Sequence, residues 1–328
     1  MVRDPHGPGQ RPARSPCCTG TAPSCHAGPG RHATAATYAR RMSFHELLTR
    51  TVRDPDRVIR FGPHPDQVID VHLPPRETAP AVVLLHGGFW LSRYDRTHAR
   101  PMAAALAALG HRVYVPEYRR LGQEGGGYPG TFDDVAAAVD LVARERRGIV
   151  VAGHSAGGHL ALWSALRHRL PASCPWRGEP AIDAVVGLAA LSDLGEAYTS
   201  GLGDGAAVRL VDGRPELLAR TDPARLLPPA PAPGPALAAL PASAVRLALV
   251  HGARDRLVPV DMSRRFAIRA GAELTEIEDA GHFALLDPLS TAWPAVIRAM
   301  AQARPPADGR KRSPACTLLA ARDPLPAF

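Results

Sequence analysis

The residues best suited to chemistry lie around Gly153-His154-Ser155-Ala156-Gly157, which has the form G-x-S-x-G. Its glycines let a chain reverse sharply from strand into helix and leave the serine strained and pointing outward. An apolar run, Gly148 to Ala152, precedes the motif and a helical pattern, Ala156 to Arg167, follows it. In that context the serine is expected to act as a nucleophile. A hydroxyl attacks poorly at neutral pH, so an imidazole must take its proton and return it to the leaving group. Of the fourteen histidines, His282 fits this role, because it lies in Asp279-Ala280-Gly281-His282-Phe283, a short loop after the last strand pattern. Gly281 there allows the ring to turn back over the sheet edge. His154 and His159 sit too close to Ser155 along the elbow to approach its oxygen correctly, and His251 ends a strand and is expected to pack near the site. The imidazole needs a carboxylate to fix its tautomer, and after such an elbow the chain order is acid, then histidine. Asp255 meets that order, just beyond the strand Val245 to His251. Asp193 is the runner-up, while Asp261 and Asp279 are expected to cap a helix and a turn.

An acyl-transfer intermediate also places negative charge on a former carbonyl oxygen, which backbone N–H groups fixed in advance stabilise. His86-Gly87-Gly88-Phe89-Trp90 follows the third strand pattern and can supply them. Gly88 and Phe89 are the expected donors from this loop, with Ala156, the residue after the nucleophile, as the other. The bland alternative is a glycine turn carrying two core aromatics. Trp90, His159 and Phe283, together with Phe89, are candidates for the substrate pocket, with plain packing as the competing reading.

The elements that must position these groups alternate between strand and helix from Met42 onward, which predicts a mainly parallel sheet with helices on both faces. Strands are expected over 57–61, 67–73, 81–85, 111–116, 148–152, 181–191, 245–251 and 272–278. Helices are expected over 98–109, 133–145 (started by Thr131 and two early acids), 156–167, 261–270 and 290–303. Residues 192–240 break the alternation, with weak helical periods near 206–218 and 223–227 and a Pro/Ala stretch over 228–241. The helical part is expected to be a small insertion serving as a lid, the Pro/Ala part a solvated linker.

The 328 residues, 45% of them apolar, suffice for one large core and one catalytic domain over 42–303. The net charge of +8 resides in the ends: residues 1–41 carry six Arg against one Asp, and residues 304–328 four Arg and one Lys against two Asp. Between them 28 basic residues face 28 acidic ones. The two ends are expected to be disordered basic extensions, with Met42 as the start of the functional chain. Neither interleaves charge with aromatics, so no nucleic-acid partner is expected. Cysteines 17, 18, 25, 174 and 316 form no disulfide framework, and Cys17, Cys18, Cys25 and His26 lack the second pair of a zinc site. The proposed chemistry needs no metal or other cofactor. No stretch reaches the length of a membrane span and no signal-peptide pattern opens the chain, so a cytoplasmic location is expected.

Together, His86-Gly87-Gly88-Phe89-Trp90, the elbow Gly153 to Leu160, Asp255-Arg256-Leu257-Val258-Pro259 and Gly281-His282-Phe283 resemble the kynurenine formamidase and small bacterial carboxylesterase branch of the α/β-hydrolases. The resemblance covers about residues 57–303, and Tyr118-Arg119-Arg120 with the glycine-rich loop after it is similar to the bacterial esterase members. It implies an α/β-hydrolase fold with Ser155, Asp255 and His282 as a triad, and hydrolysis of a small ester or amide through an acyl-enzyme, N-formylkynurenine being one candidate substrate. Competing readings are a peptidase of the prolyl-oligopeptidase type, for which the chain has no room for a propeller, and a noncatalytic hydrolase-like binding protein, against which the intact triad argues.

Overall fold

A computed structural model describes residues 53–146, 148–228 and 245–302. The basic end 1–41 with Cys17, Cys18, Cys25 and His26, Met42, most of the Pro/Ala stretch and the end 304–328 lie outside the described residues.

Eight strands form one sheet: β1 (Arg57–Arg60), β2 (Val68–His72), β3 (Val82–Leu85), β4 (Val113–Pro116), β5 (Ile149–His154), β6 (Ile182–Leu188), β7 (Arg246–Gly252) and β8 (Glu273–Ile277). Their order across the sheet is β1-β2-β4-β3-β5-β6-β7-β8. β1 with β2 and β2 with β4 are antiparallel, and all later pairings are parallel. The unbroken apolar runs follow from this placement, because a strand covered on both faces has no solvent side on which to alternate polar residues. Val83, Leu85, Val151, Val185 and Leu249 join one core cluster, and Val82, Leu84, Val150, Val186 and Val250 the other.

Helices α1 (Arg100–Ala108), α2 (Gly130–Glu145) and α3 (Ala156–Leu166) follow β3, β4 and β5; α4 (Leu194–Ser200), α5 (Leu202–Leu210), α6 (Leu218–Thr221) and α7 (Pro223–Leu226) separate β6 from β7; α8 (Val260–Ala270) and α9 (Trp293–Gln302) complete the chain. Met102 and Leu106 of α1 and Val296 and Met300 of α9 fill one face. Phe132 of α2, Trp163 of α3 and Met262 and Phe266 of α8 fill the other. The four helices of the insertion extend this second core through Leu194, Ala207, Leu210, Leu218 and Leu226, so the helical part of 192–240 is packed rather than solvated.

Several local expectations are corrected. Thr131 does not start α2, which begins at Gly130; its hydroxyl donates to the Arg119 carbonyl at 2.6 Å and accepts from Gly127 N–H at 3.1 Å. The two early acids are tethers: Asp134 binds the Arg119 guanidinium, and Asp133 accepts from the Trp176 indole at 2.7 Å. Asp261 does not cap α8 but pairs with Arg264 at 2.7 Å, and Asp279 pairs with Arg254. The helix expected over 206–218 ends at Leu210, because Asp212 and Gly213 both take positive φ there.

Candidate active site

β5 delivers Ser155 at its C-terminal end, and the turn into α3 holds the serine at φ 56°, ψ −118°. Such a conformation is strained for a residue with a Cβ and persists only where its surroundings enforce it. Here they do, since Ser155 N–H donates to Leu188 O at 2.9 Å and its carbonyl accepts from His159 and Leu191 N–H. The small neighbours are a steric necessity. A Cβ on Gly153 would lie 2.1 Å from Gly157 O, and one on Gly157 2.1 Å from Leu85 O.

The β7 loop and the loop after β8 bring Asp255 and His282 together: His282 Nδ1 lies 2.6 Å from Asp255 Oδ2. A carboxylate can only accept, so Nδ1 carries the proton and the neutral ring keeps its lone pair at Nε2. The Asp255 side chain is fully buried. Burial alone would raise its pKa, but hydrogen bonds from His251 and His282 and from the Val258 N–H hold the carboxyl well below the usual range. The elbow and the His282 loop touch directly, His154 Nε2 donating to His282 O at 2.9 Å with ring centroids 4.5 Å apart. Burial, with His282 beside it, drives the His154 pKa far down, so that ring is a neutral support. Asp193, the alternative acid, instead caps α4 by accepting from Glu196 N–H at 2.7 Å. The structure thus brings His282 to Asp255 and leaves Asp193 in the insertion.

The glycine loop after β3 rests on the elbow: a Cβ on Gly87 would meet His154 O at 2.8 Å and Ser155 Cβ at 3.2 Å. Gly88, Phe89 and Trp90 follow with φ of 108°, 51° and 56°. A side chain at Gly88 would also strike Tyr94 Cβ at 2.5 Å, so both φ and space demand glycine. The N–H groups of Gly88, Phe89 and Ala156 donate to no backbone carbonyl among the described residues. Beneath the loop lies a buried charged network. His86 Nδ1 donates to Gly87 O at 2.9 Å and Nε2 to Glu117 Oε1 at 2.8 Å, while Tyr118 stacks on the ring and donates to His86 O. Glu117 also receives Arg96 N–H and the Arg120 guanidinium, and Arg96 and Arg100 both pair with the buried Asp70. Burial would lift the Glu117 pKa, but His86 and Arg120 hold it below the usual value. Neighbouring His98 is pushed down to about 3 by burial and by His86.

The expected pocket residues divide. Trp90 and His159 are both fully buried and packed edge to face at 5.2 Å, and His159 is bound to Thr221 O of the insertion at 2.8 Å, so they are packing residues here. Phe283 is half-buried, edge on to His282 at 5.1 Å. Phe89 lies against the insertion at Gly203, where a Cβ would come within 2.4 Å of its ring. Beside the far end of the glycine loop is a concavity of about 310 Å3 lined by Leu91, Ser92, Arg93, Leu121, Gly122, Asp204 and Arg209. It lies between that loop and the insertion, and neither Ser155 nor His282 lines it. Sequence reasoning missed it, because its walls come from three segments far apart along the chain.

The geometry has parallels in known proteins. The chain is 28% identical over 258 residues to esterase LipC of Mycobacterium tuberculosis, an alignment taking in 70% of this chain and 60% of that protein. The chain therefore spans about 60% of the length of this curated relative. Esterase B of Lactobacillus rhamnosis superimposes with a TM-score of 0.61 at 18% identity, covering 82% of this chain and 92% of that one. Esterase 2 of Thermogutta terrifontis gives 0.54 at 20% identity, covering 75% and 91%. Residues 82–292, which run from β3 to just before α9 and enclose the glycine loop, the elbow, Asp255 and His282, match the Alpha/beta hydrolase family, and the chain belongs to that family.

Proposed function

We propose that the protein is a carboxylesterase that cleaves small esters through an acyl-enzyme, with Ser155 as nucleophile, His282 as general base and acid, and Asp255 as the carboxylate that orients the histidine. The observation carrying this reading is the 2.6 Å contact of His282 Nδ1 with the buried Asp255, which leaves Nε2 as the basic nitrogen on the loop that touches the Ser155 elbow. Ser155 Oγ attacks the ester carbonyl while His282 Nε2 takes its proton; the charge forming on the carbonyl oxygen is met by the Gly88, Phe89 and Ala156 N–H groups. His282 then protonates the departing alcohol. A water, deprotonated by the same nitrogen, attacks the acyl-serine and releases the acid.

The esterase relatives support an ester over an amide as the first substrate to test. The propionate and butyrate bound to the Thermogutta protein suggest short acyl chains for the panel. The insertion, in contact with Phe89 and His159, is proposed as a lid over the site. A fluorophosphonate probe is expected to label Ser155 in the folded protein, and p-nitrophenyl propionate and butyrate to be hydrolysed, with both activities lost in Ser155→Ala. An unlabelled Ser155 would overturn the hydrolase reading. Deformylation of N-formylkynurenine, whose branch the His86 to Trp90 and elbow motifs resemble, without turnover of the short esters would shift the reaction to formamide hydrolysis.

A further inference from the structure

Asp255 is bound by a second histidine. Its Oδ2 lies 2.6 Å from His282 Nδ1 and 3.2 Å from His251 Nε2, while Oδ1 accepts Leu257 N–H at 2.8 Å and Val258 N–H at 2.9 Å. Oδ1 is thus bonded by two backbone amides, while Oδ2 is bonded by His282 and has His251 Nε2 at ion-pair distance. His251 is the penultimate residue of β7, and its side chain is wholly buried. Its Nε2 faces acceptors only, Asp255 Oδ2 and Val258 O at 3.1 Å, so that nitrogen carries a proton. Its Nδ1 lies 2.7 Å from the buried Ser263 Oγ on α8, and a hydroxyl can donate to it. The result is a continuous chain of contacts, Ser263 to His251 to Asp255 to His282.

We infer that His251 is a positioning residue: Ser263 sets its tautomer, and its Nε2–H fixes the Asp255 oxygen that His282 uses. The inference rests on the esterase reading above. Oδ1 is anchored by backbone amides, but Oδ2, the atom that steers the imidazole, has only side-chain partners. With the His251 donor gone, Oδ2 is held by His282 alone, and the orientation of that ring becomes looser at the moment it must accept a proton. Because His251 reaches the reaction only through Asp255, its loss lowers kcat and spares KM.

The test uses the full chain and p-nitrophenyl butyrate, with active sites counted by fluorophosphonate titration so that only folded enzyme enters kcat. His251→Phe, which keeps a ring but no donor, is expected to lose about ten- to thirty-fold in kcat, the scale of one buried hydrogen bond to a charged group, with KM within about twofold. His251→Gln places an amide N–H near the Nε2 position and is expected to restore kcat to within about threefold of the parent. The low-field proton resonance of the His282 Nδ1–H is expected to move in His251→Phe and to hold its position in His251→Gln. Ser263→Ala removes one hydroxyl from a helix and gives a second route should His251→Phe fail to fold, with an expected loss of about threefold in kcat and displacement of the same resonance. Parent kcat in His251→Phe, an equal loss in the Phe and Gln variants, or unchanged kcat and resonance in Ser263→Ala would each overturn the inference. A parent enzyme that fails to titrate would instead overturn the esterase reading, and the resonance would still test the His251 contact.

Discussion

Replacing Asp255 by Asn offers a sharp separation of catalysis from folding, because the amide can sit in two ways and the structure ranks them. With Nδ2 in the place of Oδ1, it faces Leu257 and Val258 N–H, at 2.8 and 2.9 Å from the present oxygen. Two backbone donors cannot change tautomer, so both bonds are lost, at about 1–3 kcal/mol each. With Nδ2 in the place of Oδ2, it faces His251 and His282. His251 keeps Val258 O as an acceptor, and His282 can move its proton from Nδ1 to Nε2 and accept from the amide. The second arrangement is cheaper, and it is the one that removes the base, since Nε2–H can no longer take the Ser155 proton. Asp255→Asn is therefore expected to lower kcat/KM by about 10⁴-fold, the scale of a wrong histidine tautomer in a triad. Stability is expected to fall by only about 1–3 kcal/mol, or a few degrees of Tm. Hydrolysis of p-nitrophenyl butyrate, normalised to folded protein, and a thermal melt measure the two quantities. Retention of more than about a tenth of the activity would refute the tautomer argument; a variant inactive because it is unfolded would refute the ranking of the two amide orientations.

Two further outcomes concern the insertion. The Asp222 carboxyl is raised to about 6 by burial and by nearby Asp193, although Leu194, Gly195 and Ala224 N–H pull the other way. Since the folded pKa exceeds the unfolded one, the native state holds the extra proton between about pH 4 and 6. This group's contribution thus falls as pH rises through that window, by about 3 kcal/mol. In melts across the window, Asp222→Asn should lack this fall, and a slope identical to the parent would falsify the assignment. At Gly203, φ is 65° and a Cβ would lie 2.4 Å from the Phe89 ring. Gly203→Ala is expected to lower kcat/KM about tenfold through the displaced Phe89. Adding Phe89→Leu should return part of that loss, whereas strictly additive effects in the double-mutant cycle would show that the two segments do not press on each other.

What the sequence made legible was set by local necessity. The elbow could be read because no residue larger than glycine fits at 153 or 157, and that constraint is written in the pentapeptide itself. Asp255 and His282 could be paired because each lies just after a strand pattern, the apolar run of β7 for Asp255 and the alternating Glu273–Ile277 for His282, and the two side chains do meet. The α/β-hydrolase architecture followed from the alternation of elements, and the family match carries it. Contacts made across the chain were illegible. Thr131 looks like a helix start, yet its hydroxyl is drawn to Arg119 O twelve residues away. Trp90 and His159 carry the chemistry of a pocket lining, but only the folded chain shows that both are fully buried, packed on each other, with His159 bound to Thr221 O of the insertion. His251 could be placed near the site, while its partner Ser263 lies in a helix whose rotation no local pattern discloses. The insertion itself was the hardest part, since Gly201, Gly203, Asp204 and Gly205 run through left-handed conformations that blur a helical period.

The buried charges under the glycine loop have an evolutionary corollary. Asp70, Arg96, Arg100, Glu117, His86 and Arg120 form one connected cluster in which Asp70 and Glu117 have no exposed surface. Removing Asp70 or Glu117 takes a shared, fully buried carboxylate from the arginines gathered on it, a loss of about 3–5 kcal/mol, comparable with a large part of a domain's whole stability. Neutral drift by single steps is therefore barred at these two carboxylates, and divergence there has to proceed by compensated changes. Among the described residues, the insertion between β6 and β7 shares none of these charges and meets the glycine loop at Gly203 against Phe89, so what it owes the loop there is a matter of shape rather than of charge.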